Sequence, residues 1–433
     1  MTQLLDYRQF YINGKWVNPA KANDLEVIDP STEKAVAVIS IGDKADTDAA
    51  VAAAKAAFPA WAATAPAERL AYVEKILDIY KRRAKDMARA ISLEMGAPQD
   101  MSLDDQVDCG VYHIENFITA FKDFKFVRPL SADTPDTMIA WEPVGVVASI
   151  TPWNWPMNQV TLKVIPAILA GDTVILKPSE IAPLSSIVWT EIVDEAGLPA
   201  GVYNMVNGDG MGVGTQLSTH PDVDMVSFTG STRAGVAITK AAADTVKKVV
   251  LELGGKGANL VFADADENAV ARGVKHCFYN SGQSCNAPTR MLVERSFYDK
   301  AVEIAKKVAD ETMVDIAHKE GAHIGHVISK LQFDKIQGLI QDGINEGARL
   351  VSGGTGLPEH LSAGYFVRPT VFADVNNEMG IAKNEIFGPV LTIIPFDTEE
   401  EAVAIANDTI YGLTNYVQTT DLERRRRLSR KLQ

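Results

Sequence analysis

Cysteine is scarce in this chain: three residues in 433, at positions 109, 277 and 285. Three thiols build no disulfide framework, and their spacing matches no metal-binding motif, so the expectation is a reducing cytoplasmic setting and no metal. No stretch is long and apolar enough to span a bilayer. Met1–Asn18 alternates polar and apolar residues and lacks the apolar core of a signal peptide. Positive charge is also short. Lys and Arg number 42 against 56 Asp and Glu, a formal charge of −14, which argues against a nucleic-acid or anionic-membrane partner. The one dense basic run, Arg424–Arg427, lies in a helix-like segment and reads as a solvated face. Internal repeats and low-complexity segments are missing. What is present is ordinary for a soluble globular protein of two or three domains, with 46% hydrophobic and 23% charged residues.

The pattern along the chain gives the fold class. Up to about Ile41 it reads as short strands and turns, with Asn13-Gly14 between Phe10–Ile12 and Trp16-Val17 as a hairpin signal. An alanine-rich helix covers 47–63. A longer helix starts at Pro66, and its apolar stripe (Leu70, Val73, Leu77, Tyr80, Ala84, Met87, Ile91) runs to Gly96. Residues 100–121 read as helix, and 124–141, with Pro129 and Pro135, as an excursion from the core. Strands at 144–150, 173–177, 202–206, 224–229 and 247–253 then alternate with helices at 157–170, 183–196, 212–219 and 232–243. That alternation implies a parallel, doubly wound sheet whose ligands bind beyond the carboxyl ends of the strands. Asn154, Lys177, Ser231 and Glu252 all follow strand ends, so the spacing gathers them on one edge. A second α/β unit follows: strand 258–262, helix 266–279, strand 290–294, helices 296–311 and 329–346, strand 392–395.

Four stretches carry candidate chemistry. Cys285 lies among Ser281, Gly282, Gln283, Ser284 and Asn286, a polar setting unlike the apolar patch that hides a structural cysteine, and a reactive thiolate needs access. Glu252 ends the apolar run Val249-Val250-Leu251 before Gly254-Gly255. It is either a solvent-facing residue or a general base whose pKa its apolar neighbours raise. Asn154 sits in a loop stiffened by Pro152, Trp153, Trp155 and Pro156. It is either a turn residue or a rigid amide donor for an oxyanion. Gly230-Ser231-Thr232, opening a helix after a strand, suits either a pyrophosphate or an ordinary N-cap. There is no G-x-G-x-x-G at the first strand, and the glycine-rich run 207–214 follows the third, a weak phosphate motif.

Taken in order, PWNWP (152–156), LKPSE (176–180), FTGSTRAG (228–235), LELGGK (251–256), FYNSGQSCNAPTR (278–290) and EIFGPV (385–390) resemble the NAD(P)-dependent aldehyde dehydrogenase superfamily across nearly the whole chain. The resemblance implies an α/β fold with two doubly wound parallel-sheet domains. Residues 1–122 and 142–254 would form the NAD-binding Rossmann-like domain, 123–141 an oligomerisation hairpin, and 255–433 the catalytic domain. The implied reaction oxidises an aldehyde to an acid through a thiohemiacetal and thioester on Cys285. Asn154 and the Cys285 N–H would hold the oxyanion, Glu252 would activate water, and Lys177 would belong to the same set. For the cofactor it implies Ile150, Trp153, Lys177, Ser179, Glu180, Gly230, Ser231, Leu253, Glu385 and Phe387. Small Ser179 would tolerate a 2′-phosphate that Glu180 would repel, which favours NAD over NADP. The implied pocket positions, Trp155, Gln159, Leu162, Ser284 and Asn286, select no particular aldehyde. Partners are then a small aldehyde and further copies of the chain, in a dimer or tetramer. Family members run several dozen residues past the equivalent of Gln433, so the expectation is a more open pocket and weaker assembly. Two rivals remain: a CoA-acylating relative, which Glu252 argues against, and a non-catalytic relative, which the intact Cys285, Glu252 and Asn154 argue against.

Overall fold

The computed structural model describes residues 4–319 and 321–433. Met1–Gln3 and Glu320, which the ranges 1–122, 255–433 and Met1–Asn18 above include, lie outside the described residues. The chain forms two compact units. One comprises Met1–Asp29, Lys34–Glu94 and Gln99–Glu252; the other comprises Pro30–Glu33, Met95–Pro98 and Leu253–Gln433.

The first unit is built on a seven-stranded sheet. Its order is Lys248–Glu252, Met225–Thr229, Val146–Ile150, Thr173–Lys177, Tyr203–Met205, Phe10–Ile12, Lys15–Val17. The first five strands are parallel, and the last two form an antiparallel hairpin at one edge. Asn13 and Gly14 both have positive φ (53° and 71°), the geometry that a two-residue hairpin turn requires. Val146–Ile150 and Thr173–Lys177 are buried at every position, as central parallel strands must be when helices cover both faces. Gly171 (φ 101°) and Gly197 (φ 73°) end the helices Pro156–Ala170 and Leu184–Ala196 in left-handed caps. A separate three-stranded sheet joins Leu5–Tyr7, Lys34–Ser40 and Asp24–Asp29.

One expectation fails here. The long helix from Pro66 to Gly96 is two helices, Pro66–Arg82 and Ala84–Met95, broken at Arg83 (φ −98°, ψ 16°). Val73, Tyr80, Met87 and Ile91 are fully buried on both sides of the break. The apolar stripe therefore crosses it without a change of period, and periodicity could not reveal it. Arg83 is held by Glu191 at 2.7 Å and Asp86 at 3.1 Å. The excursion is a two-stranded antiparallel hairpin, Val127–Ser131 with Thr134–Ala140, exposed along nearly its whole length.

The second unit has a six-stranded sheet in the order Arg349–Ser352, Thr370–Ala373, Val390–Phe396, Arg290–Glu294, Ala258–Val261, Tyr416–Gln418. All pairings are parallel except the first. Side chains alternate between two apolar layers, as a pleated strand dictates. Leu260, Leu292 and Ile394 join Ile336, Ile340 and Phe372 on one face. Val261, Met291 and Ile393 join Val274, Phe278 and Ala305 on the other. The basic run on the helix Leu422–Lys431 is partnered within this unit. Arg424 pairs with Asp264 at 3.0 Å, Arg426 with Glu423 at 2.6 Å and Arg427 with Glu399 at 2.9 Å. Among the described residues, no helix is long and apolar enough to cross a membrane, and no cluster of His, Cys, Asp or Glu could hold a metal.

Candidate active site

In the first unit the strand register assembles an edge. Ile150 pairs with Lys177 on one side and Phe228 on the other, and Thr229 pairs with Glu252. The carboxyl ends of four adjacent strands therefore stand in line. Lys177 is 3% exposed, and its ammonium is satisfied by oxygens alone: Pro178 O at 2.8 Å, Glu180 Oε2 at 3.3 Å, and the Gly208 carbonyl. Burial lowers its pKa and the Glu180 carboxylate opposes that. Ser179 is buried beside it. Ser231 caps the eleven-residue helix Thr232–Ala242, its Oγ accepting from Ala234 N at 3.3 Å, and Gly230 N donates to Glu252 O at 3.0 Å. This donor set suits a dinucleotide. A helix N-terminus offers N–H groups to a pyrophosphate, and a fixed Lys–Glu pair can accept from and donate to ribose hydroxyls.

Asn154 is buried, and its carbonyl accepts from Gln106 Nε2 at 3.2 Å. The helix that follows carries the expected pocket residues on different bearings. Trp155 is its N-cap. Gln159 Oε1 accepts from Thr229 Oγ1 at 2.8 Å, whereas Leu162 is exposed. Glu252 takes the solvent-facing position, one of the two settings open to it. Burial alternates along Lys248–Glu252 and leaves Glu252 exposed, with Val249 and Leu251 at the alternate positions. An edge strand shows one face to solvent, and Glu252 lies on that face. Sequence reasoning missed Lys163, which is buried, as are Val160, Val164 and Ile165 of the same helix. Burial takes its pKa down to about 8, against the pull of Glu252. A lysine inside an apolar helical stripe was the available signal.

In the second unit the helix Ala269–Phe278 runs into the cysteine turn. Asn280, Ser281 and Gly282 have φ of 53°, 56° and 72°, three successive left-handed residues. Two of them are not glycine, a cost of roughly 1–3 kcal/mol each that the surroundings must offset. They do so with buried polar groups. Ser281 Oγ donates to Gly325 O at 2.8 Å, Asn280 Nδ2 to Gln283 O at 3.2 Å, and Gln283 Oε1 accepts from Ile328 N at 2.9 Å. A Cβ on Gly282 would land on the Gly388 carbonyl and stand 2.6 Å from Pro389 N. A Cβ on Gly255 would land on the Cys285 carbonyl, so both glycines are there for close approach. Beyond the thiol, Ala287 N donates to Ser284 O at 3.1 Å and Tyr416 Oη to Asn286 O at 2.8 Å.

The three cysteines differ in setting. Cys277 is fully buried, its Sγ 3.7 Å from Val390 O, and burial pushes its thiol up to about 12. Cys109 accepts from Asn158 Nδ2 at 2.9 Å, and burial pushes it up to about 11. Both stay protonated at neutral pH. Cys285 is partly exposed at the end of the locked turn. Close by, Glu385 accepts from Gly255 N at 3.0 Å, and a Cβ on Gly254 would meet Glu385 Oε2 at 2.5 Å. Phe387 has φ 61°, and its carbonyl accepts from Gln332 Nε2 at 3.4 Å. The structure thus brings Ile150, Lys177, Ser179, Glu180, Gly230, Ser231 and Glu252 to one edge of the first unit. Leu253, Ser284, Cys285, Asn286, Glu385 and Phe387 belong to the second.

Comparison with known proteins agrees with this chemistry. Residues 16–433 match the model of the aldehyde dehydrogenase family. A 3-succinoylsemialdehyde-pyridine dehydrogenase from Pseudomonas sp. is 48% identical over 429 residues, 99% of this chain and 89% of its own. The crystal structure of an aldehyde dehydrogenase from Bartonella henselae superposes with a TM-score of 0.99 at 60% identity, covering 99% of this chain and 90% of that one. A cysteine-to-alanine mutant of aldehyde dehydrogenase C from Pseudomonas syringae, in complex with NAD+ and octanal, gives 0.96 at 45% identity, over 98% and 87%.

Proposed function

The chain belongs to the aldehyde dehydrogenase family, and from that premise we propose which of its residues carry the reaction. The enzyme oxidises an aldehyde to a carboxylic acid with NAD. Cys285 is the nucleophile: its thiolate adds to the aldehyde carbon, forming a C–S bond and an oxyanion. The Asn154 side-chain amide and the Cys285 N–H donate to that oxygen, and losing one such donor typically costs about 10²–10³ in rate. NAD, when bound, accepts the hydride from the carbon that carries sulfur. Glu252 then takes a proton from water, the hydroxide adds to the thioester carbonyl, and the Cys285 thiolate leaves with the acid released. Exposure suits that role, because the base must exchange its proton with solvent once per turnover. Lys177, Glu180 and Ser179 hold the adenosine ribose, and Glu180 disfavours a 2′-phosphate. Gly230 and Ser231 receive the pyrophosphate, and Ile150, Trp153 and Leu253 are further cofactor-binding residues. Glu385 and Phe387 hold the nicotinamide ribose and ring. Trp155, Gln159, Leu162, Ser284 and Asn286 line the aldehyde pocket.

The observation that carries this reading is the cysteine turn. Three left-handed residues and a set of buried amides fix one partly exposed thiol, while the other two thiols are held protonated. The ranges 1–122 with 142–254, 123–141 and 255–433 then act as cofactor domain, self-association hairpin and catalytic domain. Exposed Phe124, Val127, Leu130, Met138 and Trp141 support a hairpin that meets further copies in a dimer or tetramer. Three cysteines outside any disulfide support a cytoplasmic location. Rapid mixing of Glu252→Gln with NAD and an aldehyde tests the mechanism. The expected result is a burst of NADH near one equivalent per site followed by slow turnover. A burst and steady state that fall by the same factor would remove Glu252 from the hydrolytic step.

A further inference from the structure

Lys256 follows the Gly254-Gly255 turn and plays no part in the mechanism above, yet it is 1% exposed and its Nζ has no hydrogen-bond partner among the described residues. A buried, unpaired ammonium is costly, so the group is expected to titrate within reach of neutral pH. Its backbone is fixed on both sides. Arg290 Nε donates to Lys256 O at 3.0 Å, and Gly255 N donates to Glu385 Oε1 at 3.0 Å. The groups that face Lys256 come from four elements. Arg290 is on the strand Arg290–Glu294, Cys277 on the helix Ala269–Phe278, Lys335 on the helix Lys330–Asn345, and Glu385 follows the helix Gly380–Lys383. Arg290 spends its hydrogen bonds on neutral acceptors: the Asn377 amide oxygen and the carbonyls of Lys256, Ile405 and Ala406. Cys277 is a protonated thiol. Among the described residues Glu385 is therefore the carboxylate that acts on the Lys256 amine, and Lys335 and the Tyr411 phenol also lie near Glu385.

We propose that Lys256 is a positioning residue for the cofactor, its buried amine keeping charged the Glu385 carboxylate that the Gly255 N–H seats on the Gly254-Gly255 turn. This rests on the reading that Glu385 accepts the nicotinamide ribose hydroxyls, for which it must be ionised. Burial raises the Glu385 pKa, while the Gly255 N–H and the two lysines lower it. Burial and the Arg290 cation bring the Lys256 amine down to about 7, with Glu385 pulling the other way. The sign follows. Below neutrality Lys256 is protonated and joins the Gly255 N–H and Lys335 in favouring the ionised Glu385 that burial disfavours. Above neutrality Lys256 is neutral, and Glu385 is ionised without help.

The test is NAD binding by the whole enzyme, followed by calorimetry from about pH 5.5 to about pH 9, with thermal melting to check that each variant folds. Lys256→Met should bind NAD about tenfold more weakly than the wild type near pH 6 and within about twofold of it near pH 9. Lys256→Gln, which keeps a polar head without the charge, should show the same acid-side loss if Lys256→Met does not fold. Glu385→Gln should weaken binding at all pH values, and adding Lys256→Met to it should change nothing more. An equal loss across the pH range for the Lys256 variants would reduce the lysine to packing and overturn the proposal. Unchanged NAD binding by Glu385→Gln would instead overturn the ribose assignment on which it rests.

Discussion

The edge of the first sheet and the cysteine turn of the second unit both present chemical groups, but they are held by different means. The edge is made of regular strands, and register alone aligns Ile150, Lys177, Thr229 and Glu252. Its side chains vary from fully buried Lys177 to exposed Glu252 and Ser231. The turn is irregular, with three successive positive φ angles and close backbone approaches at Gly255 and Gly282. Its polar groups lock one another. A long ligand laid along an edge touches many groups, and each contributes a little. A single reacting atom has to be placed within a fraction of an ångström, so its support is cooperative and fails as a whole.

Substitution should therefore have graded effects at the edge and all-or-none effects at the turn. The largest is expected for Cys285→Ala, which should abolish aldehyde oxidation while calorimetry still shows NAD binding. Residual turnover that then requires Cys109 or Cys277 would remove the contrast. Next comes Gly282→Ala. A Cβ there meets the Gly388 carbonyl at φ 72°, so most turnover should be lost together with roughly 1–3 kcal/mol of stability, read by steady-state rates and denaturant melts. Wild-type kinetics in that variant would show that the turn yields without consequence. The smallest is Ser231→Ala at the edge. Loss of the cap costs about 1 kcal/mol, and NAD affinity should fall only several-fold, as measured by titration. A collapse of activity in that variant would make the edge as brittle as the turn.

Much of this contrast was legible in the sequence, for physical reasons that also mark where legibility stopped. Central strands such as Val146–Ile150 and Thr173–Lys177 announce themselves as apolar runs punctuated by Gly171, Gly197 and Pro199. Residues that follow strand ends therefore sort onto one edge without any structure. Cys285 stood out by its polar flanks, a local signal. The break at Arg83 was hidden because the apolar stripe keeps its spacing across it. Arg349–Ser352, Thr370–Ala373 and Tyr416–Gln418 are three or four residues long, too short for alternation to register. The helix Glu399–Asn407 was also missed, although Thr398 and three glutamates at its start are an N-terminal signal. Burial of single charges was the least legible property. Of the two settings the sequence leaves open for Glu252, its edge strand gives the solvent-facing one. Lys163 at least lies in an apolar helical stretch, whereas the groups near Lys256, namely Cys277, Arg290, Lys335 and Glu385, are spread along the chain.

The central claim is that one thiol of three carries the acyl group. Glu252→Gln, incubated with NAD and an aldehyde and quenched in acid, should accumulate the thioester, and peptide mass spectrometry then locates it. The account predicts the acyl mass on the peptide containing Cys285, near one per chain, and none on those containing Cys109 or Cys277. An acyl group on either of those two, or NADH formed with no acyl group on any cysteine, would contradict it.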